Sequence, residues 1–195
     1  MSISFSPSSP VLVGGGRAAS PRALAAAGRF ARALVSGGYR LHVGCAAGID
    51  AAALCGALAL GGRYSSLFPH LHAFSAFDEQ GQGSWRSSAV QVVMAAARAG
   101  ALVHWLAGGG LSVPLVARLM SRSIAALAGC GLAVFFHPGP GSLKVARAAL
   151  KAGIPVLVWR IGWPAPPVLA VAAVPVSFLG FSFWLFQPAT QSALF

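Results

Sequence analysis

Apolar positions along the chain fall in short continuous runs, separated by glycine-rich turns and by alanine-rich stretches with a helical period. Val11 to Val13 reads as a strand running into Gly14-Gly15-Gly16-Arg17. A helix is expected from Pro21 to Ser36, with Ser20 as its N-cap, proline in its first position and Gly37-Gly38 as its stop. Tyr39 to Val43 is a second strand, Gly44 to Gly48 a tight small-residue turn, and Ile49-Asp50 opens a second helix that ends by Gly61-Gly62. Ser65 to Phe74 holds a weaker strand, and the polar loop Ser75 to Ser84 is expected to act as a mobile lid. A helix (Ser88 to Ala99), a strand (Ala101 to Leu106), a hinge at Gly108 to Gly110 and a helix (Val113 to Leu127) come next. The strand Gly131 to Phe136, the turn His137 to Ser142, the helix Leu143 to Ala152 and the strand Pro155 to Trp159 complete the alternation.

Strands that are apolar throughout, without in–out alternation, belong in a parallel sheet covered on both faces. The expected fold is therefore α/β, a doubly wound, mostly parallel sheet with helices on both faces. Ligands of such sheets lie beyond the carboxyl ends of the strands. Three glycine-rich turns fall there, at 14–17, 44–48 and 139–142. The uncharged run Ile161 to Phe186 has the length of a membrane span, but Pro164, Pro166, Pro167 and Pro175 interrupt it, so a buried strand with an irregular lead-in is expected. The chain divides into an N-terminal tail (1–10), one α/β domain (11–160) and an apolar, proline-containing C-terminal extension (161–195).

Charge changes the picture more than bulk composition does. Fourteen Lys and Arg oppose three acids, Asp50, Asp78 and Glu79, for a formal net charge of +11. That imbalance favours a polyanionic partner, nucleic acid first. All the cations except Lys144 and Lys151 are arginine, the side chain that forks onto phosphate and stacks on bases. Cys45, Cys55 and Cys130 lack metal-ligand spacing, and their odd number suits a reduced, cytoplasmic setting. The start MSISFSPSSP has neither the basic opening nor the apolar core of a signal peptide.

The acid shortage weighs against catalysis, because Asp78 and Glu79 are neighbours in one loop and no G-x-S-x-G elbow occurs. His70 and His72 would need a third ligand to hold a metal, and none is evident, so neither metal nor cofactor is expected. Among the histidines, only His137 falls at the expected ligand face. Gly14 to Ala19 fits G-x-G-x-x-A but has no acidic residue at the ribose position, which excludes an ordinary nicotinamide site. Gly139-Pro140-Gly141-Ser142 follows a strand and opens a helix bearing Lys144 and Arg147, a plausible phosphate cradle that is not a Walker loop.

The order of VLVGGGRAAS (11–20), VGCAAGIDAAALCGAL (43–58), SRSIAALAGCGLAVFF (121–136) and PGSLKVARAALKAGIPVLV (140–158) resembles the DNA-processing protein A (DprA/Smf) family, of the SLOG superfamily of Rossmann-like domains. The resemblance covers roughly residues 11 to 160 and is most specific at Gly48-Ile49-Asp50 with Ala51 to Ala53. It implies a dimer-forming, single-stranded DNA-binding protein that helps load a recombinase. Arg17, Ser20, Arg122, Ser142 and Lys144 are the expected phosphate contacts, with Gly16, Gly44, Gly48, Gly139 and Gly141 bringing backbone close to the ligand. Asp50 is expected to organise its turn by accepting backbone N–H bonds. Ala47, Leu54 and Ser123 stand where the family has Arg, His and Asn, and each change removes a polar or cationic contact. The other function class is a nucleotide-ligand sensor or nucleotide-processing enzyme using the same loops, and a third is an assembly subunit with its apolar tail buried in a partner. Gln191-Ser192-Ala193-Leu194-Phe195 resembles peptides that dock on bacterial sliding clamps.

Overall fold

The computed structural model describes residues 3–61, 70–84, 87–161, 169 and 171–188. Along the chain lie β1 (Val11–Gly15), α1 (Pro21–Ser36), β2 (Leu41–Val43), α2 (Ile49–Leu58), β3 (Leu71–Phe74), α3 (Ser87–Arg98), β4 (Leu102–His104), α4 (Leu115–Leu127), β5 (Leu132–Phe136), α5 (Pro140–Lys151), β6 (Val156–Trp159), β7 (Ala173–Phe178) and β8 (Phe181–Phe186). They form one eight-stranded sheet in the order β4-β3-β2-β1-β5-β6-β8-β7. β1 to β6 are mutually parallel, as their unbroken apolar runs require, whereas β8 joins β6 and β7 antiparallel.

Alternate residues of each strand feed two cores. Val13, Val43, Val134 and Phe136 pack with α1 and α2 on one face, while Leu12, Ala133, Phe135 and Val158 pack with α4 and α5 on the other. α1 and α2 cross so closely that a Cβ on Gly56 would strike the backbone of Gly28. That contact fixes the rotation of α1 about its axis. Ser20 caps α1 as its sequence predicts, accepting the Ala23 N–H at 3.3 Å.

The apolar extension differs from expectation. In place of one buried strand it supplies a hairpin, turned at Leu179 (φ +50°) and Gly180 (φ +78°), whose left-handed pair matches the twist of tight two-residue hairpins. Pro175 is accommodated because β7 is the outermost strand of the sheet. Phe178, Phe181 and Phe183 pack on Phe30 of α1, with ring centroids 5.9, 5.3 and 5.4 Å away. The apolar tail is thus buried on the domain's own core.

The 75–84 loop also departs from a free lid. Ser75, Ala76 and Phe77 are buried, and Arg118 of α4 holds both ends by donating to the Ala76 carbonyl at 2.6 Å and the Gly83 carbonyl at 3.1 Å. No helix among the described residues is long and apolar enough to cross a membrane. Ser65 to Pro69, Pro164, Pro166, Pro167 and the clamp-like Gln191 to Phe195 lie outside the described residues.

Candidate functional site

Adjacent strands β1 and β5 send their outgoing chains to opposite faces of the sheet, β1 to α1 and β5 to α5. Their divergence opens a crevice at the carboxyl edge, the point at which doubly wound sheets bind ligands. A cleft of roughly 620 Å³ lies there, lined by Gly14 to Arg17, Gly44, Asp50, Arg122, His137 to Ser142 and Lys144. Val116 and Met120 of α4 form its apolar wall.

The three loops are locked to one another through their backbones. Ser142 Oγ donates to the Gly15 carbonyl at 2.7 Å, the Gly16 N–H to Phe136 O at 3.4 Å, and the Ile49 N–H to Gly16 O at 3.3 Å. A Cβ on Gly16 would meet the His137 carbonyl at 2.5 Å. Gly48 needs its glycine twice over, since its φ is +88° and a Cβ would lie 2.6 Å from the Arg17 carbonyl.

Asp50 and Arg122 form a buried ion pair at 3.1 Å, with side-chain exposures of 9% and 6%. Asp50 Oδ2 also accepts the Ala46 N–H at 3.1 Å, so it organises the preceding turn. Gly44 is required by this pair, because a Cβ there would overlap the Arg122 guanidinium. Burial works to lower the Arg122 pKa, but the electrostatic influence of Cys45 and Asp50 and the Asp50 hydrogen bond outweigh it and raise it. Arg122 therefore enters the site as a partnered cation in the wall, with its Nε unbonded, rather than as the free phosphate contact its sequence suggests.

Other expected contacts separate in the same way. Ser20 does not line the cleft and uses its hydroxyl to cap α1. Ser142 lines it, but its proton is committed to Gly15 O. Arg17 and Lys144 are the exposed cations of the rim. In the same cleft, α5 follows its N-cap Gly139 with no side-chain cap and no acid in its first turn, and Gly141 faces open space. The N–H groups of Gly141 and Ser142 and the positive end of the helix dipole therefore face a ligand in the cleft. At the positions where the resembled family differs, Ser123 bonds to Leu119 O of its own helix at 2.9 Å and Leu54 is packed into the core. Ala47 and Arg17 share a separate recess of roughly 20 Å³, too small for an organic ligand.

A second polar feature was not expected. His42, His72 and His104 lie side by side on β2, β3 and β4, with ring centroids 4.9 and 5.4 Å apart. His72 and His104 bond at 3.3 Å, and His42 Nδ1 donates to the Ala126 carbonyl at 2.8 Å. Burial pushes both His42 and His104 below the usual histidine range; for His42 the Ala126 bond opposes that shift and the charges of His104 and Arg40 add to it. Burial likewise lifts the neighbouring Cys130 thiol to about 12. Among the described residues no group of three or more His, Cys, Asp or Glu is arranged to hold a metal. The available signal was one histidine in each of three consecutive strands.

No protein-family model matches the chain, and no curated protein matches it. Solved structures do. DNA processing protein A from Helicobacter pylori, described for its single-stranded DNA binding mode, aligns with a TM-score of 0.61 at 20% identity, over 78% of this chain and 66% of that one. DNA processing protein A (DprA) from Streptococcus pneumoniae aligns with a TM-score of 0.61 at 20% identity, over 78% of this chain and 50% of its own. The fold described above is the one these proteins share, and the chain spans half to two thirds of their length.

Proposed function

We propose that this chain is a DprA-like single-stranded DNA-binding protein that acts in DNA processing or recombination and carries no catalytic centre of its own. The observation that carries the reading is the switch-point cleft, whose lining joins the uncapped start of α5 with exposed Arg17 and Lys144. A phosphate seated there meets backbone N–H donors and two cations without displacing any carboxylate, because Asp50 is already neutralised by Arg122. The shape likeness to two DNA processing proteins and the net charge of +11 support the same partner. Homodimer formation, a cytoplasmic setting and contact with a recombinase or a sliding clamp belong to the proposal.

The test is affinity for a fluorescent single-stranded oligonucleotide across a salt series, for the native chain and for Arg17→Ala with Lys144→Ala. The native chain should bind with a steep salt dependence, and the double variant should lose about 1.4 from the slope of log K against log salt, or 0.7 for each phosphate contact. No binding at low salt, or an unchanged slope in the variant, would overturn the assignment. Saturable mononucleotide binding indifferent to salt would point to the nucleotide-ligand class instead.

A further inference from the structure

The outer surface of α1 carries charge that the cleft does not use. Its buried side is Ala23, Ala26, Ala27, Phe30, Ala31 and Leu34, which leaves Arg22, Arg29 and Arg32 exposed on the opposite side. Arg22 and Arg29 are seven residues apart and Arg32 lies three further on, so all three share one face of the helix. They cannot drift off that face, because the Gly28–Gly56 contact sets the helix rotation. The stripe begins in the first turn of the helix whose entry loop carries Arg17 of the cleft rim. It runs about 15 Å from Arg22 to Arg32 at 1.5 Å per residue.

Exposed helices commonly balance such arginines with carboxylates three or four positions away. Here none is possible, since α1 contains no acid and the three acids of the chain are buried Asp50 and the loop residues Asp78 and Glu79. The single ion pair among the described residues is Asp50–Arg122. On α5, the other basic helix at the cleft, Arg147 is already engaged within the protein.

We infer that a single strand whose phosphate sits in the cleft leaves it along α1, with Arg22, Arg29 and Arg32 holding backbone phosphates along its path. This rests on the proposed function and lengthens its footprint by the roughly 15 Å that the three arginines span. The partner is single-stranded nucleic acid rather than a folded acidic protein, because the stripe is a line of forked donors on the helix that the Arg17 loop of the cleft leads into.

The test compares the native chain, Arg29→Gln with Arg32→Gln, and Lys151→Gln on α5, each with single-stranded oligonucleotides of about 6 and about 20 nucleotides, one near the lower end and one beyond the upper end of the ~4–16-nucleotide sites of single domains. The arginine variant should keep its affinity for the short oligonucleotide. At about 0.1 M salt it should bind the long one roughly 10- to 30-fold more weakly and lose about 1.4 from the salt slope. Its melting temperature should match the native chain's, since both side chains are exposed. Equal loss on both lengths, no loss on the long one, or a loss confined to Lys151→Gln would overturn the path along α1. Weakened binding of the arginine variant to phosphatidylserine vesicles, with long-oligonucleotide affinity unchanged, would assign the stripe to an acidic membrane surface. If the native chain binds neither oligonucleotide, the proposed function itself fails; if it binds both and the arginine variant is unaffected, only the α1 path fails.

Discussion

Asp50 shows how one residue's role is set by what lies across the sheet. As one of three acids in a strongly basic chain it looks like chemistry, yet its carboxylate is buried against Arg122 and bonded to the Ala46 N–H. Asp50→Ala should cost about 3–5 kcal/mol in urea unfolding, chiefly because Arg122 is left buried and unpaired. Adding Arg122→Met should recover part of that loss, and strictly additive losses would show that the pair is not coupled. His42 makes a different prediction. Its pKa in the fold lies below the ordinary value of 6.5, so the unfolded chain takes up a proton first as pH falls. The stability contributed by keeping His42 neutral is fully present above pH 6.5 and is lost as pH drops through the folded value. His104 shifts the same way. Thermal melting should therefore fall as pH is lowered from 6.5 toward the folded values, and His42→Phe should flatten the curve while losing the Ala126 bond; an unaltered slope would exclude His42 as a source.

At the scale of elements, the hairpin β7–β8 completes the core. Phe183 is fully buried and touches Phe30 and Phe136 at centroid distances of 5.4 and 5.8 Å. Phe183→Ala should cost about 3–5 kcal/mol, measured as a shifted unfolding midpoint with unchanged slope. Wild-type stability in that variant would mean that the hairpin is dispensable. This is also where the sequence was least legible. β1, α1, β5 and β6 announce themselves by continuous apolar runs, caps and glycine stops, and α1 has the expected limits from Pro21 to Ser36. The hairpin hides because its residues are apolar on both faces and its turn is Leu179-Gly180, without the Asn-Gly or Asp-Gly signal of a left-handed pair. α5 starts at Pro140 instead of Leu143, because proline and glycine mask a first turn that the proline in fact opens. The glycine loops of the cleft were readable from spacing. The engagement of Arg122 with Asp50 and of Ser142 with Gly15 was not, since those partners are 72 and 127 residues apart.

Across the molecule, both sheet edges are blunted against pairing with another chain. β4 has three residues, while β7 carries Pro175 and has its Ser177 carbonyl occupied by the Ile3 N–H at 3.0 Å. Stability and charge are arranged separately in this fold. Burial of aliphatic and aromatic side chains on both faces holds the sheet, and nearly every ionised group left at the surface is positive. Charge of one sign favours solubility and polyanion capture at the cost of self-repulsion, so added salt should raise the melting temperature while it weakens nucleic-acid binding.

The 75–84 loop gives this surface a direction. It carries Asp78 and Glu79, and Arg118 ties both of its ends to α4. The two acidic side chains of the loop therefore keep one address on an otherwise cationic body, at the same carboxyl edge as the cleft, where Ala76, Phe77 and Ser84 line a recess with Arg17. A polyanion reaching this edge is repelled from one side of it only, so its approach to the cleft is oriented before the first contact is made.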